Sequence, residues 1–318
     1  MITKDISKAK EILLKDELIA MPTETVYGLA GNAYSDVAIK KIFDLKNRPL
    51  YNPLIVHIKA TSSIFDIASE IPENALMLAD KFWPGPLTLV LKKQNHISDL
   101  ITAEKNTVAV RVPNHRLTLA LLDQLDFPLT APSANPFGSI SPTSAEHVFN
   151  YFGHKIDVIL DGGECEKGLE STIIGFENNK PILHRHGSIA MEDIEKISGK
   201  LSISTHSDTS PISPGMLSRH YAPQTDTYLT NDVSKLTNLL KGKKIGLLLF
   251  KNKVQSDEIV SQEILSKSGN YTEAAKNLYA AMHRLDQKKL DVIIAERLPD
   301  ENLGKTINDK LERATKKH

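Results

Sequence analysis

Two cations lie one residue apart in a loop that two prolines stiffen. Lys46 and Arg48 follow a predicted helix, and Pro49 and Pro53 restrict the loop after them. Cations at a helix end often only complement the helix dipole. A stiff cationic loop also suits a triphosphate, because the positive charges must be held in place around it. The residues alone leave both interpretations open.

A third cation, Arg111, lies inside a strand predicted over residues 107–112. Alternation along that strand puts three valines on one face and Arg111 on the other, beside Ala109. A guanidinium on a sheet face lined by small residues requires either a buried carboxylate partner or an anionic ligand. The sequence does not distinguish these two outcomes.

Polar residues also collect in loops that follow short apolar segments. Residues 22–29 follow a strand predicted at 18–21, and residues 130–136 are small, with Ser133 and Asn135 offering directional hydrogen bonds. Strand ends are where ligands bind in α/β sheets. Ordinary turns have similar compositions, so each loop alone carries little weight.

Several common catalytic arrangements are missing from the sequence. It contains no G-x-x-x-x-G-K-[ST] phosphate loop, no G-x-G-x-x-G turn and no H-E-x-x-H zinc motif. The single cysteine, Cys165, lies between two glutamates, which raise the pKa of a thiol, so we exclude it as a nucleophile. We predict no metal site built from protein side chains.

The elements that must position these residues alternate between strand and helix. A helix capped by Ser35 should end before Pro49, and a second helix is predicted over Glu73–Phe82, before a Pro-Gly-Pro stop. Strands are predicted at 18–21, 54–58, 87–91, 107–112, 158–160, 172–176 and 181–184. Short strands with interleaved helices indicate an α/β fold with a mixed sheet.

The chain changes character at residues 202–214, which are rich in serine and threonine and lack apolar periodicity. This segment predicts a linker. Beyond it, strands at 244–250 and 292–295 flank a helix at 272–285 and predict a smaller α/β domain. The predicted division is a first domain at 1–200, a linker at 201–224 and a second domain at 225–318.

Composition narrows the partners and the compartment. The chain of 318 residues holds 39 Lys+Arg and 39 Asp+Glu, a balance that argues against a broad basic surface for nucleic acid. One cysteine permits no internal disulfide and fits a reducing compartment. No signal peptide is evident, and no apolar stretch approaches the roughly 20 residues of a membrane span. These features predict a cytoplasmic protein without a membrane partner.

Considered together, the motifs resemble those of the YrdC-like family in its two-domain form. The resemblance rests on residues 22–29, the K-x-R pair of Lys46 and Arg48, the S-x-N pair of Ser133 and Asn135, and segments 161–163, 170–172, 213–216 and 219–223. They occur in this order and cover the first predicted domain and the linker.

The resemblance implies a twisted mixed sheet with a concave, positively charged cavity, followed by a small Rossmann-like domain. It also implies synthesis of threonylcarbamoyl-AMP from L-threonine, bicarbonate and ATP, with release of pyrophosphate, for threonylcarbamoyl-adenosine modification of tRNA. Such a nucleotidyltransferase needs no protein nucleophile, because it positions substrates and neutralises phosphate charge. Mg²⁺ is expected to accompany ATP. A downstream tRNA threonylcarbamoyl transferase complex would receive the product, and direct tRNA binding stays open.

The same resemblance implies roles for individual residues, with Lys46 and Arg48 as the catalytic pair and Tyr221 as part of a lid. Nucleotide binding is implied for Lys46, Arg48, Asn52, Thr107, Ser133, Asn135, Ser141, Arg185 and Tyr221. L-Threonine binding is implied for Thr25, His57, Arg111, Ala131 and Ser171, with Arg111 on the substrate carboxylate. His57 also lies in a predicted strand, so a purely structural role is its alternative.

Three other functions compete with this one. A YrdC-like module could bind structured RNA without catalysis, with a strongly salt-dependent affinity, and a nucleotide sensor could bind ATP without turnover. A carbamoyl transfer enzyme of hydrogenase maturation shares the domain, but those proteins carry cysteine-rich zinc modules that one cysteine cannot form. The balanced charge and the complete set of small polar loops favour the synthase.

Overall fold

The computed structural model describes residues 1–209 and 211–315. Ser210, within the predicted linker, and residues 316–318, at the end of the second predicted domain, lie outside the described residues. In the described ranges the strands form two sheets, one of twelve strands and one of four. None of the described helices is both long and apolar enough to cross a bilayer.

The larger sheet is formed by residues of the first two-thirds of the chain. Its strands are β1 (Ile2–Thr3), β2 (Ile19–Met21), β3 (Gly28–Asn32), β4 (Ile55–His57), β5 (Ala68–Glu70), β6 (Leu87–Lys93), β7 (Thr107–Arg111), β8 (Leu129–Thr130), β9 (Val158–Leu160), β10 (Thr172–Glu177), β11 (Lys180–Arg185) and β12 (Ser202–Ile203). Its helices are α1 (Ile6–Leu13), α2 (Asp36–Lys46), α3 (Ile64–Ile67), α4 (Glu73–Phe82), α5 (Asp99–Thr102), α6 (Arg116–Asp123), α7 (Ala145–Phe152) and α8 (Met191–Ser198).

The strand order across this sheet is β1-β9-β2-β3-β8-β4-β7-β6-β10-β11-β12, with β5 paired to β6. Neighbouring strands run in both senses: β4 is parallel to β7, whereas β6 is antiparallel to β7. The predicted mixed α/β sheet is therefore confirmed. Residues 202–203 were predicted to begin the linker, but they form β12, parallel to β11 at the sheet edge.

The two faces of β7 separate core from cavity, as the alternation predicted. Val108 and Val110 are buried in the main hydrophobic core with the residues of α2 and α4. On the opposite face, Ala109 belongs to a small apolar cluster, and Arg111 is buried at the strand end. Parallel pairing then brings His57 of β4 opposite Arg111.

Helix α2 delivers the cationic loop to this end of the sheet. The Ser35 hydroxyl accepts a hydrogen bond from the backbone N–H of Ala38, as expected of an N-cap. At the other end Asn47 has φ of 50°, the left-handed conformation that commonly ends a helix. The chain therefore turns sharply after Lys46, and Arg48 enters the interior.

The second sheet is parallel throughout its described residues, in the order β13-β16-β14-β15. Its elements are β13 (Thr227–Thr230), β14 (Ile245–Leu249), β15 (Ile259–Ile264), β16 (Val292–Glu296), α9 (Val233–Leu239), α10 (Tyr271–Asp286) and α11 (Leu303–Thr315). This arrangement agrees with the predicted small α/β unit, and its Rossmann-like character stays a prediction. Helix α11 was not predicted.

Candidate active site

A narrow cavity lies at the carboxyl ends of β4 and β7, on the face opposite the main core. The free space within the cavity is only about 50 Å³. That space is smaller than the roughly 300–1,000 Å³ of usual ligand sites. It is lined by Thr23, Thr25, Val26, Gly28, Arg48, Ile55, His57, Arg111, Ala131, Pro132, Ser133, Glu170, Ser171, Arg185, Pro214, Gly215, His220 and Tyr221.

Arg48 is buried in the wall of this cavity. Its Nε donates to the carbonyl oxygen of Asn52 at 3.1 Å, and its Nη2 donates to that of Pro53 at 2.7 Å. The two contacts fix the guanidinium within its own proline-stiffened loop. Burial, and then the positive charge of Arg185, lower the pKa of Arg48 to about 9. An anion between the two guanidiniums would relieve their repulsion.

Arg185, at the end of β11, joins the strand to the linker. Its Nε and Nη2 donate to the carbonyl oxygen of Ser171, and Nη2 also donates to Ser171 Oγ at 2.9 Å. Its Nη1 donates to the carbonyl oxygen of Pro214 at 3.2 Å. Ser171 Oγ lies 2.7 Å from Thr88 Oγ1. The predicted nucleotide residue Arg185 and the predicted threonine residue Ser171 are therefore in direct contact.

Arg111 has the buried carboxylate partner that its position allowed. Its Nη2 lies 2.6 Å from Glu24 Oε1, with both side chains at most 4% exposed. Its Nη1 donates to Thr25 Oγ1 at 3.0 Å. Its Nε is buried and has no hydrogen-bond partner among the described residues. Arg111 is thus paired and still has a donor available in the cavity wall.

His57 combines its two predicted alternatives, since it lies in β4 and lines the cavity. Burial, and then the charge of Arg111, lower its pKa to about 3. Its Nδ1 lies 3.2 Å from the carbonyl oxygen of Ile55. The imidazole is therefore neutral at physiological pH and offers a hydrogen bond without a charge.

Lys46 is directed away from the cavity, unlike Arg48. Its Nζ donates to the carbonyl oxygens of Ser133 and Asn135, at 2.6 Å for Ser133, and the side chain is 2% exposed. Burial, and then the charge of Arg48, lower its pKa well below the usual range. In this structure Lys46 supports the Ser133–Asn135 loop and does not line the cavity, so its phosphate contact stays a prediction.

The remaining predicted residues divide between the cavity wall and positions outside it. Ala131, Ser133 and Tyr221 line the cavity. Asn52, Asn135 and Ser141 are buried outside its lining, and Ser141 Oγ donates to Glu170 Oε1 at 2.6 Å. Thr107 begins β7, beside Lys92 and about 13 Å along the strand from Arg111. The structure does not bring Thr107 to the cavity, and its role stays a prediction.

Several buried polar atoms around the cavity have no hydrogen-bond partner among the described residues. They include the Tyr221 hydroxyl, the Ser213 hydroxyl and His220 Nδ1, besides Arg111 Nε. Buried polar groups are normally paired, and an unpaired group calls for an explanation such as a ligand. Their concentration here fits a polar molecule that binds in the cavity.

Three residues that lie at the site had no role that the sequence indicated: Glu24, Glu170 and His220. A buried arginine requires a carboxylate partner or an anionic ligand, so such a partner was one of the two outcomes expected for Arg111. The sequence did not indicate that this partner is Glu24. Cys165 is buried, and burial, followed by the Glu24 carboxylate, raises its thiol pKa. The neighbouring glutamates are therefore not the main cause of the raised pKa, and the exclusion of Cys165 as a nucleophile stays a prediction.

Two buried histidines predict how stability depends on pH. Burial lowers the pKa of His57, in β4, and that of His283, in α10, to about 3. Below pH ~6.5 the unfolded chain takes up protons that the folded chain does not, so the free energy of unfolding should fall as the pH drops towards 3. Each residue contributes a slope of up to about 1.4 kcal/mol per pH unit.

Urea unfolding between pH 7 and 4 measures this slope. His283→Gln should reduce it by about one residue's share. An unchanged slope in the variant would contradict the assignment.

Comparison with known proteins assigns this chain to a family. The profile described as telomere recombination, covering Sua5, YciO and YrdC, matches residues 11–187. A second profile, described as the C-terminal domain of threonylcarbamoyl-AMP synthase, matches residues 189–315. The chain belongs to this Sua5/YrdC family.

Relatives within the Sua5/YrdC family resemble the chain over nearly its whole length. The threonylcarbamoyl-AMP synthase of Pyrococcus abyssi is 39% identical over 96% of this chain and 93% of its own. That of Bacillus subtilis is 38% identical over 97% and 92%. The crystal structure of P. abyssi Sua5 complexed with L-threonine matches with a TM-score of 0.91 and 38% identity, over 99% of this chain and 97% of that one.

Proposed function

We propose that this protein is a threonylcarbamoyl-AMP synthase, which makes threonylcarbamoyl-AMP and pyrophosphate from L-threonine, bicarbonate and ATP. The observation that carries the proposal is one cavity lined by the guanidiniums of Arg48, Arg111 and Arg185, in a chain of this family. Both the triphosphate and the amino-acid carboxylate are anions that require such donors. No nucleophilic side chain is needed.

The polar groups divide the cavity between the two substrates. L-Threonine would lie beside Arg111, whose free Nε would meet the substrate carboxylate. Thr25, His57, Ala131 and Ser171 would complete that subsite. The phosphates would lie between Arg48 and Arg185, next to Ser133 and Tyr221. Four further residues lie outside the lining and would support the site indirectly: Lys46, Asn52, Asn135 and Ser141. Thr107 would contact a part of the nucleotide that lies far from Arg111.

The chemistry follows from placing these substrates together. The threonine amine attacks the carbon of bicarbonate, and loss of water leaves an N-carboxylate. One oxygen of that carboxylate then attacks the α-phosphorus of ATP. The bond from the α-phosphorus to the bridging oxygen breaks, and pyrophosphate leaves with the electron pair. Arg48 and Arg185 neutralise the charge that develops on the phosphates, and Arg111 holds the amino acid in line.

We extend the proposal to Mg²⁺ that enters bound to ATP. Among the described residues, no group of three or more His, Cys, Asp or Glu side chains is arranged to hold a metal ion. Glu170, the carboxylate in the lining, already accepts two hydroxyl hydrogen bonds. These residues fit an ion held mainly by phosphate oxygens and water, and it would supply further neutralisation of phosphate charge.

We also propose that the linker at residues 201–224, between a first domain at 1–200 and a second at 225–318, is a lid. Pro214, Gly215, His220 and Tyr221 close the cavity. Because that space is too narrow for a nucleotide, the linker must move for ATP to enter. Helix α11 holds it closed: Arg313 donates to the carbonyl oxygens of Thr205, Gly215 and Leu217, at 2.7–3.0 Å.

Removing this arginine should loosen the lid. In Arg313→Met the linker carbonyls lose their buried donor, so trypsin should cleave after the half-buried Arg219 several times faster than in the wild type. Arg297→Met is the matched control, because Arg297 pairs with Glu312 and Asp300 and contacts no linker carbonyl among the described residues. Equal cleavage rates in the two variants would contradict the lid proposal.

The product itself gives the most specific test of the proposed function. Purified protein incubated with ATP, L-threonine and ¹³C-bicarbonate should yield threonylcarbamoyl-AMP that carries one heavy carbon, detected by mass spectrometry before the labile product hydrolyses. AMP that forms equally well without L-threonine or bicarbonate would contradict the proposal, since hydrolysis of the product requires that both were consumed first.

A downstream tRNA threonylcarbamoyl transferase complex would consume this product. The need for ATP and the unpaired buried Cys165 support a cytoplasmic location.

A further inference from the structure

Helix α10 brings two side chains of the second sheet's unit to the wall of the cavity. The Tyr279 hydroxyl donates to Glu170 Oε2 at 2.8 Å, and His283 Nε2 lies 3.2 Å from the carbonyl oxygen of Ser141. Tyr279 and His283 are four residues apart, so they share one face of the helix. Both are buried. The contacts join segments that are more than one hundred residues apart in the chain.

Glu170 receives one hydroxyl on each carboxylate oxygen. Ser141 Oγ donates to Oε1 at 2.6 Å, and Tyr279 donates to Oε2. Burial, and then the Glu170 charge, raise the pKa of Tyr279 well above its ordinary value, so its hydroxyl remains a donor. The two hydrogen bonds therefore hold the buried Glu170 side chain, which is only 6% exposed, in one orientation.

This orientation matters because Glu170 lines the same cavity as three guanidiniums. Among the described residues in the lining it is the single carboxylate, and Arg48, Arg111 and Arg185 are the arginines. A buried carboxylate in such surroundings gains most by pairing with a guanidinium. Arg185 contacts Ser171, the next residue in the chain, and pairs with no described carboxylate. The two hydroxyls therefore replace an arginine as the partners of Glu170.

We propose that Tyr279 is a positioning residue for the nucleotide site, which holds Glu170 away from Arg185 so that this guanidinium stays available to phosphate. The inference deepens the proposed function and rests on it. The second α/β unit thus contributes to the site without touching substrate. Its contribution is to keep Arg185 without a carboxylate partner until an anion enters.

The test is the affinity for ATP in three variants and the wild type, measured by calorimetry. Tyr279→Phe removes one hydroxyl and should weaken ATP binding about tenfold, because the freed carboxylate turns to Arg185. Tyr271→Phe, the matched control at the start of the same helix, removes a hydroxyl that bonds Glu301 at the surface and should bind ATP as the wild type does. The double variant Glu170→Gln/Tyr279→Phe has no carboxylate to turn and should recover most of the affinity.

Rescue by the double variant separates a charge effect from damage to the fold, because both variants lack the same hydroxyl. Wild-type affinity in Tyr279→Phe, or a double variant as weak as the single, would overturn the inference. A protein that binds ATP but forms no threonylcarbamoyl-AMP would contradict the proposed function. The ATP affinities of the variants would still test the role of Tyr279. A wild type that binds no ATP would sink both.

Discussion

Replacing Arg48 with alanine is expected to lower kcat/KM for ATP about a hundredfold or more. The guanidinium is fixed by two carbonyl oxygens and lines the cavity, so it neutralises phosphate charge without having to reorganise. Burial and the charge of Arg185 lower its pKa to about 9, so an anion bound between the two guanidiniums would be favoured. Steady-state release of pyrophosphate measures the effect.

The control is Arg116→Ala, at an exposed arginine that begins α6. It should keep wild-type kinetics, which separates a local effect from a change in total charge. Arg48→Lys should recover only part of the activity, because an ammonium cannot reproduce the planar set of donors. Wild-type turnover in Arg48→Ala would remove Arg48 from the proposed site.

Replacing Arg111 with methionine is expected to impair both binding and stability. KM for L-threonine should rise at least tenfold, because the substrate carboxylate loses a charged hydrogen bond. The free energy of unfolding should fall by about 3–5 kcal/mol, because Glu24 is left as a buried charge without its partner. Threonine titration and urea unfolding measure the two effects separately.

The double variant Glu24→Gln/Arg111→Met tells these effects apart. It should be more stable than Arg111→Met, since no buried charge is left unpaired, yet it should bind threonine no better. Glu17→Gln breaks the exposed Glu17–Lys41 pair and should cost less than about 1 kcal/mol. Recovery of threonine affinity in the double variant would show that Arg111 acts only through Glu24.

The parts of the fold that local signals specify were predictable from the sequence. Ser35 and the first proline of the cationic loop bounded α2, and a Pro-Gly-Pro stop ended α4 where predicted. Strand β3 was missed because Gly28-Leu29-Ala30-Gly31-Asn32 lacks both alternation and β-branched residues. Helix α11 was missed because its buried face contains Asn308, Asp309, Lys310 and Arg313, which read as a solvated surface.

The sequence pointed to several residues that line the cavity, among them Arg48, Arg111 and Arg185, but not to the directions of their side chains. Arg48 and Lys46 look equivalent in the sequence, yet one lines the cavity and the other bonds to carbonyl oxygens of a loop 87–89 residues away. Glu170 and Tyr279 are 109 residues apart, and no local pattern links them. Such pairings depend on how two units dock, which periodicity and capping cannot report.

Pyrophosphate release from ATP, with L-threonine and bicarbonate omitted in turn, tests the central claim most directly. Release is expected only when both are present, because the phosphate is attacked by a carboxylate that exists only after the amine has captured bicarbonate. Release that needs neither, or none at all despite ATP binding, would contradict it and favour a nucleotide sensor or an RNA-binding module.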